Sequence, residues 1–441
     1  MTGHRLTKLS VAIGLSIATS STLASPQSFM SARSFAMGGT GVAVAVPADA
    51  PAENPAMMAA DHHSWNDDFG LTLPSVNARV ADEEETVDQV DEIQDVIKFL
   101  ESDLKAFDVN SSSIEDIQKN AGDLQDRLAA LNKDTVRGNT GAGLAIAFPS
   151  QSLSIAFFGS GTGTVTARGD VATEDEDFLV NIATVNSASE LDSFISSSDK
   201  VERDSNGDVI GIALESKGTI LASAMLEAGV SLARNFSLDN GGNLQLGVSP
   251  KFVRLYTFQY TEIVSDFDED AFDNDRYRTE KSGFNIDIGA AYSWGEGQQW
   301  NAGITAKNLI PMELDSAQSR GSIVEQKHTF QLDPMVTAGI AHKSEYHVVT
   351  AEIDLTKKEA FGFEDDTQWA ALGAEFDAFR YAQLRVGVRH NLASNDDNDG
   401  IEEKTQFTAG LGLNIVGVRL DLGALYSDAD VGAALELGTA F

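Results

Sequence analysis

Few side chains in this sequence stand at spacings that make or break bonds. Asn395-Asp396-Asp397-Asn398-Asp399-Gly400 puts Asp397, Asp399 and Gly400 in the register of a calcium-binding loop, yet no aspartate comes first and Gln406 takes the place of the closing glutamate. A solvated acidic turn accounts better for such a stretch, and Asp204-Ser205-Asn206-Gly207-Asp208 fits less well still. His62 and His63, beside Asp61, offer imidazole nitrogens, but adjacent residues rarely share one metal. There is no cysteine, which removes thiol nucleophiles, disulfides, CxxC redox chemistry and thiolate zinc sites. GxSxG, HExxH and phosphate-loop patterns are missing, and scattered serines, histidines and aspartates make no triad without geometry. The sequence therefore predicts a protein that is not an enzyme, with no cofactor and no resident metal.

The charges that stand out lie singly within apolar alternation. Glu227, Lys251, Asp287, Lys307, Glu352, Asp354, Arg385, Arg389 and Arg419 fall on the face opposite large apolar residues. From about residue 139 onward the chain alternates in this way, the period of a strand wetted on one face only. Phe284, Ile286, Ile288 and Tyr292 oppose Asn285 and Asp287; Val418, Leu420 and Leu422 oppose Arg419 and Asp421; Val431, Leu435, Leu437 and Phe441 oppose Gly432 and Glu436. Candidate strands near 69–79, 139–148, 152–168, 217–233, 243–260, 278–295, 298–309, 328–343, 346–356, 367–377, 382–391, 404–415, 417–427 and 430–441 number about fourteen, an even count. Short connections alternate with long ones such as 80–138, 169–216, 261–277, 310–327 and 393–403. That parity predicts an all-β fold: a closed antiparallel transmembrane barrel with short turns and both termini on the periplasmic side, and long loops outside. A soluble sandwich has no reason to keep it. The lumen charges would then line water or hold something inside.

A secretory leader precedes this pattern. Arg5 and Lys8 give a positive start, 9–18 is apolar, and Thr22-Leu23-Ala24 is a small-residue cleavage site, so 1–24 is read as a signal peptide. No later stretch reaches the roughly 18 or more apolar residues of a spanning helix. With 31 Lys and Arg against 67 Asp and Glu, a net charge of -36, the chain offers no basic surface for nucleic acid.

Within the first long loop the period changes. Val90, Ile93, Ile97, Leu100 and Leu104, then Ile114, Ile117, Ala121, Leu124, Leu128 and Leu131, step by threes and fours, which predicts an antiparallel helical hairpin over 82–134 in the first extracellular loop. Phe178 to Ile195 is also unusually apolar for a loop, and the hairpin is a ready cover.

Ahead of the first strand lies SARSFAMGGTGVAVA from Ser31, followed by ADAPAENPA. Gly38, Gly39 and Gly41 permit tight turns and Asn54-Pro55 starts one, so 25–68 suits a compact peptide inside a lumen. Through Arg33, Gly38, Gly39, Asn54, Pro55 and Ala56 this segment resembles the FadL-type outer-membrane transporters, and the layout is most similar to their TraF-like "conjugal transfer protein" branch, not to the unrelated thioredoxin-like TraF. The resemblance implies that 25–68 is a hatch plugging a fourteen-stranded barrel (69–441), and that hydrophobic ligand leaves through a gap at a kinked third strand. Gly159, Gly161 and Gly163 are the residues that would mark the gap here. The helical hairpin has no place in the resemblance.

The expected function is passive transport of hydrophobic, fatty-acid-like molecules across a Gram-negative outer membrane. The alternative is a non-transporting surface protein whose hairpin binds a partner, in conjugal transfer for instance. Expected partners are outer-membrane lipid and lipopolysaccharide, the hydrophobic ligand, and the assembly machinery that reads a last strand ending in Phe441; the oligomeric state is open.

Overall fold

The computed structural model describes residues 29–60, 70–82, 86–110, 112–150, 152–265, 275–318, 323, 325–378, 381–393, 404–415 and 417–440. The leader at 1–24, His62, His63, Asp397, Asp399 and Phe441 lie outside the described residues.

Alternation becomes a ring. Among the described residues fourteen antiparallel strands form one closed barrel in chain order. They are β1 Gly70–Asp82, β2 Thr135–Phe148, β3 Ser154–Asp170, β4 Lys217–Ser237, β5 Asn243–Ile263, β6 Arg278–Trp294, β7 Trp300–Lys307, β8 Met335–Lys343, β9 His347–Asp354, β10 Trp369–Ala378, β11 Ala382–Asn391, β12 Thr405–Ile415, β13 Val418–Tyr426 and β14 Asp430–Ala440. Closure pairs Gly70 with Ala440 through to Ala81 with Asp430, so no edge strand is left. At one rim the connections are tight turns; at the other most are long, with 427–429 the short exception.

The outward face is apolar and open: Phe284 is 74% exposed, and Val386, Leu384 and Phe407 are each 58% exposed. Along β6 this belt runs from Phe284 to Trp294, and at about 3.3 Å per residue and a tilt of about 40° it stands roughly 25 Å tall, the height of a bilayer's hydrocarbon. Its edge at the short-turn rim is an aromatic row, with Tyr292 on Trp294 (5.5 Å), Trp294 on Trp300 (6.3 Å) and Trp300 on His342 (4.7 Å). No helix among the described residues is long and apolar enough to cross a membrane.

Two long loops build a helical cap. Helices Thr86–Ala106, Glu115–Leu131, Thr173–Thr184 and Ala188–Ser197, with the small ribbon of Val201–Arg203 and Val209–Ile212, share one core around Leu100, Leu124, Leu128, Leu179, Ile182 and Leu191. Each such buried side chain contributes about 1.5–3 kcal/mol, which neither loop could collect alone. Asp175 stitches the cap to the foot of β4, accepting from Lys200 Nζ (2.7 Å), Glu215 N (2.8 Å) and Ser216 N (2.7 Å). Burial pulls the Lys200 pKa down, but hydrogen bonds to Asp175 and Glu215 outweigh it and hold the ammonium above the ordinary lysine value.

One strand differs from its expected extent. The eighth wall strand begins at Met335 rather than near 328, because Asp333-Pro334 breaks the run and Pro334 cannot donate to a ladder. Thr329–Leu332 instead pairs with Met312–Asp315 as a ribbon. It lies over the barrel mouth, where Met312, Phe330 and Leu332 pack with Phe361 on the inward side chains Leu221, Met225, Val253 and Leu255 of β4 and β5.

Candidate lumen site

Residues 29–60 occupy the inside of the ring. Ser31 accepts from Ser34 N and starts the short helix Ala32–Ala36; Gly38 and Gly39 take φ of 74° and 81°; Asn54 accepts from Ala56 N and starts the 3-10 turn Pro55–Ala59. Buried backbone needs partners, and the wall supplies them all round. Gly38 N donates to Thr408 Oγ1 (2.9 Å), Gly41 N to Glu352 Oε1 (2.9 Å) and Ala32 N to Glu436 Oε2 (3.1 Å). Asn54 Nδ2 donates to Val42 O (2.8 Å) and Ala290 O (3.2 Å), and Lys307 Nζ to Ala52 O (2.5 Å).

A chain of alternating charges begins and ends on the segment. Arg33 Nε meets Glu375 Oε2 at 2.9 Å, Glu375 meets Arg385 at 2.6 Å, and Arg385 meets Asp421 at 2.5 Å. Asp421 meets Arg419 at 2.6 Å, and Arg419 pairs with Glu436 and reaches Asp49 at 3.6 Å. On the far wall Lys251 lies between Glu227 (2.5 Å) and Asp287 (2.8 Å). Asp354 accepts from Thr337 Oγ1 and Trp369 N. Arg389 lies over the Trp369 ring at 4.3 Å and donates to Gln406. All nine charges picked from sequence thus stand on the inward face, and four of them, Glu352, Lys307, Arg389 and Arg419, touch the segment directly.

The charges picked from sequence leave out Glu375 and Asp430, and also Asp421 and Glu436, although the alternation puts these last two on the face opposite the apolar residues. Asp430 holds Arg79 (3.4 Å) and Arg137 (2.5 Å) together near the long-loop rim.

The fit is tight because the wall is carved away where the segment lies. Inward glycines face each other across strands as Gly247 with Gly289, Gly303 with Gly339, Gly373 with Gly387 and Gly410 with Gly423. A Cβ on Gly387 would stand 2.2 Å from Gly38 N, and one on Gly303 2.3 Å from Val42 O. Above the segment, toward the long-loop rim, remains an open cavity of about 100 Å³ lined by Trp369, Arg389, Glu352, Asp354, Lys307 and Lys358.

Gly159, Gly161 and Gly163 are placed differently from expectation. They share the outward face with Phe157, while the neighbours Phe158 and Ser160 share the inward face that lines the lumen. Pairing through them runs without a break to β2, from Thr135 with Arg168 to Phe148 with Ile155, and to β4, from Ser154 with Ala233 to Asp170 with Lys217. Missing side chains on the lipid face thin the surface but do not part the ladder, so the expected gap is not found there.

Residues 51–354 match the family described as the F plasmid transfer operon TraF protein. The chain belongs to that family. No curated protein matches this TraF-family sequence. Among solved structures it is similar to a TodX deltaS2S3 mutant monoaromatic hydrocarbon channel, at 14% identity and a TM-score of 0.50 over 94% of this chain and 99% of that one. The Ralstonia pickettii toluene transporter TbuX gives the same values. A Pseudomonas aeruginosa FadL homologue matches at 10% identity and 0.45 over 95% and 99%. At such identity the likeness to TodX and TbuX is one of fold alone.

Proposed function

We propose that this TraF-family barrel sits in the outer membrane of a Gram-negative bacterium, long loops outward and termini periplasmic, and lets small hydrophobic molecules pass without energy input. One observation carries the reading. Leu221, Met225, Val253 and Leu255 point inward at the mouth, where a water-filled barrel has polar side chains. They form an apolar compartment now filled by the protein's own Met312, Phe330, Leu332 and Phe361. A hydrophobic ligand would take their place, and residues 29–60 would act as the hatch below. TodX and TbuX, a monoaromatic hydrocarbon channel and a toluene transporter, agree with that chemistry. The test is accumulation of labelled toluene and of a labelled fatty acid by cells with and without the gene; equal rates for both would sink the reading.

The unbroken third strand and the filled lumen favour a second reading, a surface protein that transports nothing and whose helical cap binds a partner. Equal uptake, together with a conjugal-transfer defect on deleting the cap helices, would select it.

A further inference from the structure

One pair of histidines stands outside the lumen altogether. His342 lies next to the end of β8 and His347 opens β9, and the tight turn between them sets side by side two rings that are five positions apart in the chain. Both rings face outward. His342 pairs with Trp300 across the ladder and His347 with Phe376, and Ile340 and Val349, two steps along the same faces, belong to the exposed apolar belt. Each ring is held by a neighbour. His342 meets Trp300 edge to face with centroids 4.7 Å apart. Ser344, fixed in the turn by its N–H donating to His347 O at 2.8 Å, brings its Oγ to 2.8 Å from His347 Nδ1. So held, His347 Nε2 and His342 Nδ1 stand 3.3 Å apart, with the ring centroids 5.4 Å apart.

Those two lengths are close to the ones a metal imposes. Two imidazoles on one tetrahedral ion, at bonds of about 2.0–2.1 Å, hold their nitrogens about 3.3 Å and their ring centres about 5.2 Å apart. Neighbouring ligands of a square-planar ion would come to about 2.9 Å, and an N–H hydrogen bond favours roughly 2.7–3.2 Å. We propose that His342 Nδ1 and His347 Nε2 bind one divalent transition-metal ion of tetrahedral preference, Zn²⁺ above all, at the short-turn rim, against the sequence expectation of no resident metal. Ser344 acts from the far side of the ring: by accepting the Nδ1 proton of His347 it leaves Nε2 its lone pair. Among the described residues no group of three histidines or carboxylates gathers here, so oxygen donors complete the shell. At the level of the aromatic row those donors are water or a lipid phosphate. The bound ion staples β8 to β9 across their turn. In the sequence the pair gives no signal, because five positions along a strand set two side chains on opposite faces, and only the turn turns them to one. Transport has no part in the argument.

The test is calorimetric titration of Zn²⁺ into the full barrel, purified without a histidine tag in a phosphate-free detergent. It should show a site that is lost in His342→Gln and in His347→Gln, and that is weakened roughly tenfold in Ser344→Ala. His62, His63, His328 and His390 stay in every variant, so binding at those residues does not change. Saturating Zn²⁺ should also raise the temperature at which the heat-modifiable band converts, because an ion that binds only the folded turn stabilises it. Chelator should reverse that rise, and both glutamine variants should lack it. Migration without Zn²⁺ reports whether each variant has closed its barrel. Repeating the titration in phospholipid nanodiscs identifies the oxygen donors: tighter binding there points to lipid phosphate, equal binding to water. Zn²⁺ binding that survives undiminished in both glutamine variants, or no binding by the parent, overturns the site and leaves a hydrogen-bonded pair of rings. Neither result touches the transport reading, which rests on uptake.

Discussion

Arg33 and Glu375 stand 342 positions apart and meet through two hydrogen bonds, Nε to Oε2 at 2.9 Å and Nη2 to Oε1 at 3.1 Å. The pair ties residues 29–60 to β10, where Arg385 shares the same carboxylate. A buried ion pair adds little over an apolar equivalent, but removing one partner leaves a charge without compensation.

Glu375→Ala should therefore be the most damaging single change in the lumen, costing about 3–5 kcal/mol, since two guanidiniums lose one carboxylate together. Arg33→Ala should cost less, because Glu375 keeps Arg385. Urea midpoints of the detergent-solubilised barrel, read by the heat-modifiable band, give both values; equal losses would show that Arg33 is not clamped as described.

Gly387→Val tests whether residues 29–60 are fitted or merely present. Its Cβ has no space, with Gly38 N at 2.2 Å and Met37 C at 2.3 Å, and both are backbone. The expected outcome is a barrel that fails to assemble, or one whose segment is cut by added protease while the wall survives. Gly138→Ala, with nothing within 4 Å of its Cβ, should behave like the parent. A protected segment in the Gly387→Val protein would mean that the segment can shift sideways at little cost.

The wall was legible in the sequence because one face of each strand meets lipid, and a period of two survives in the residue types. The cap was legible for the same reason at a period near 3.5: nine of the residues picked as seams, from Ile93 to Leu131, are buried in its core. What could not be read was which inward charge meets which. Glu375 has the same apolar setting as Glu352, but its partner lies 342 positions away and only closure of the ring brings it near. Glycine faces were illegible for a different reason. With no side chain, Gly159, Gly161 and Gly163 take their side from Phe157 or Phe158, and two adjacent aromatics leave that choice open. The ribbon was hidden because Thr329–Leu332 alternates like a wall strand, and Pro334 was its one mark.

His328 gives the mouth a pH dependence. It stands by Phe361 and Phe363, ring centroids 6.3 Å and 6.1 Å away. Burial lowers its pKa below the ordinary imidazole value, with Glu325 opposing. A depressed histidine binds protons more readily once released, so the closed mouth is fully stable above the ordinary value of about 6.5 and loses stability as pH falls through the folded value. Protease cleavage between Met312 and Phe361 should accelerate on acidification in the parent and lose that dependence in His328→Phe. An unchanged acid response in His328→Phe would assign the effect to other groups.

Gly161→Val tests whether the wall opens at the third strand. If β3 carried the exit, a branched side chain there would obstruct it. The structure turns the new side chain outward, where its Cβ meets the end of the Leu226 side chain at 2.7 Å, a flexible group free to swing into lipid, and stands at ordinary contact, 3.8 Å, from Met225 O. Strand pairing on both sides is already complete, and valine is favoured over glycine in a strand. Uptake of labelled toluene should therefore match the parent, and stability should change by less than about 1 kcal/mol. A strong loss of uptake in a correctly closed Gly161→Val barrel would place an exit at the third strand after all.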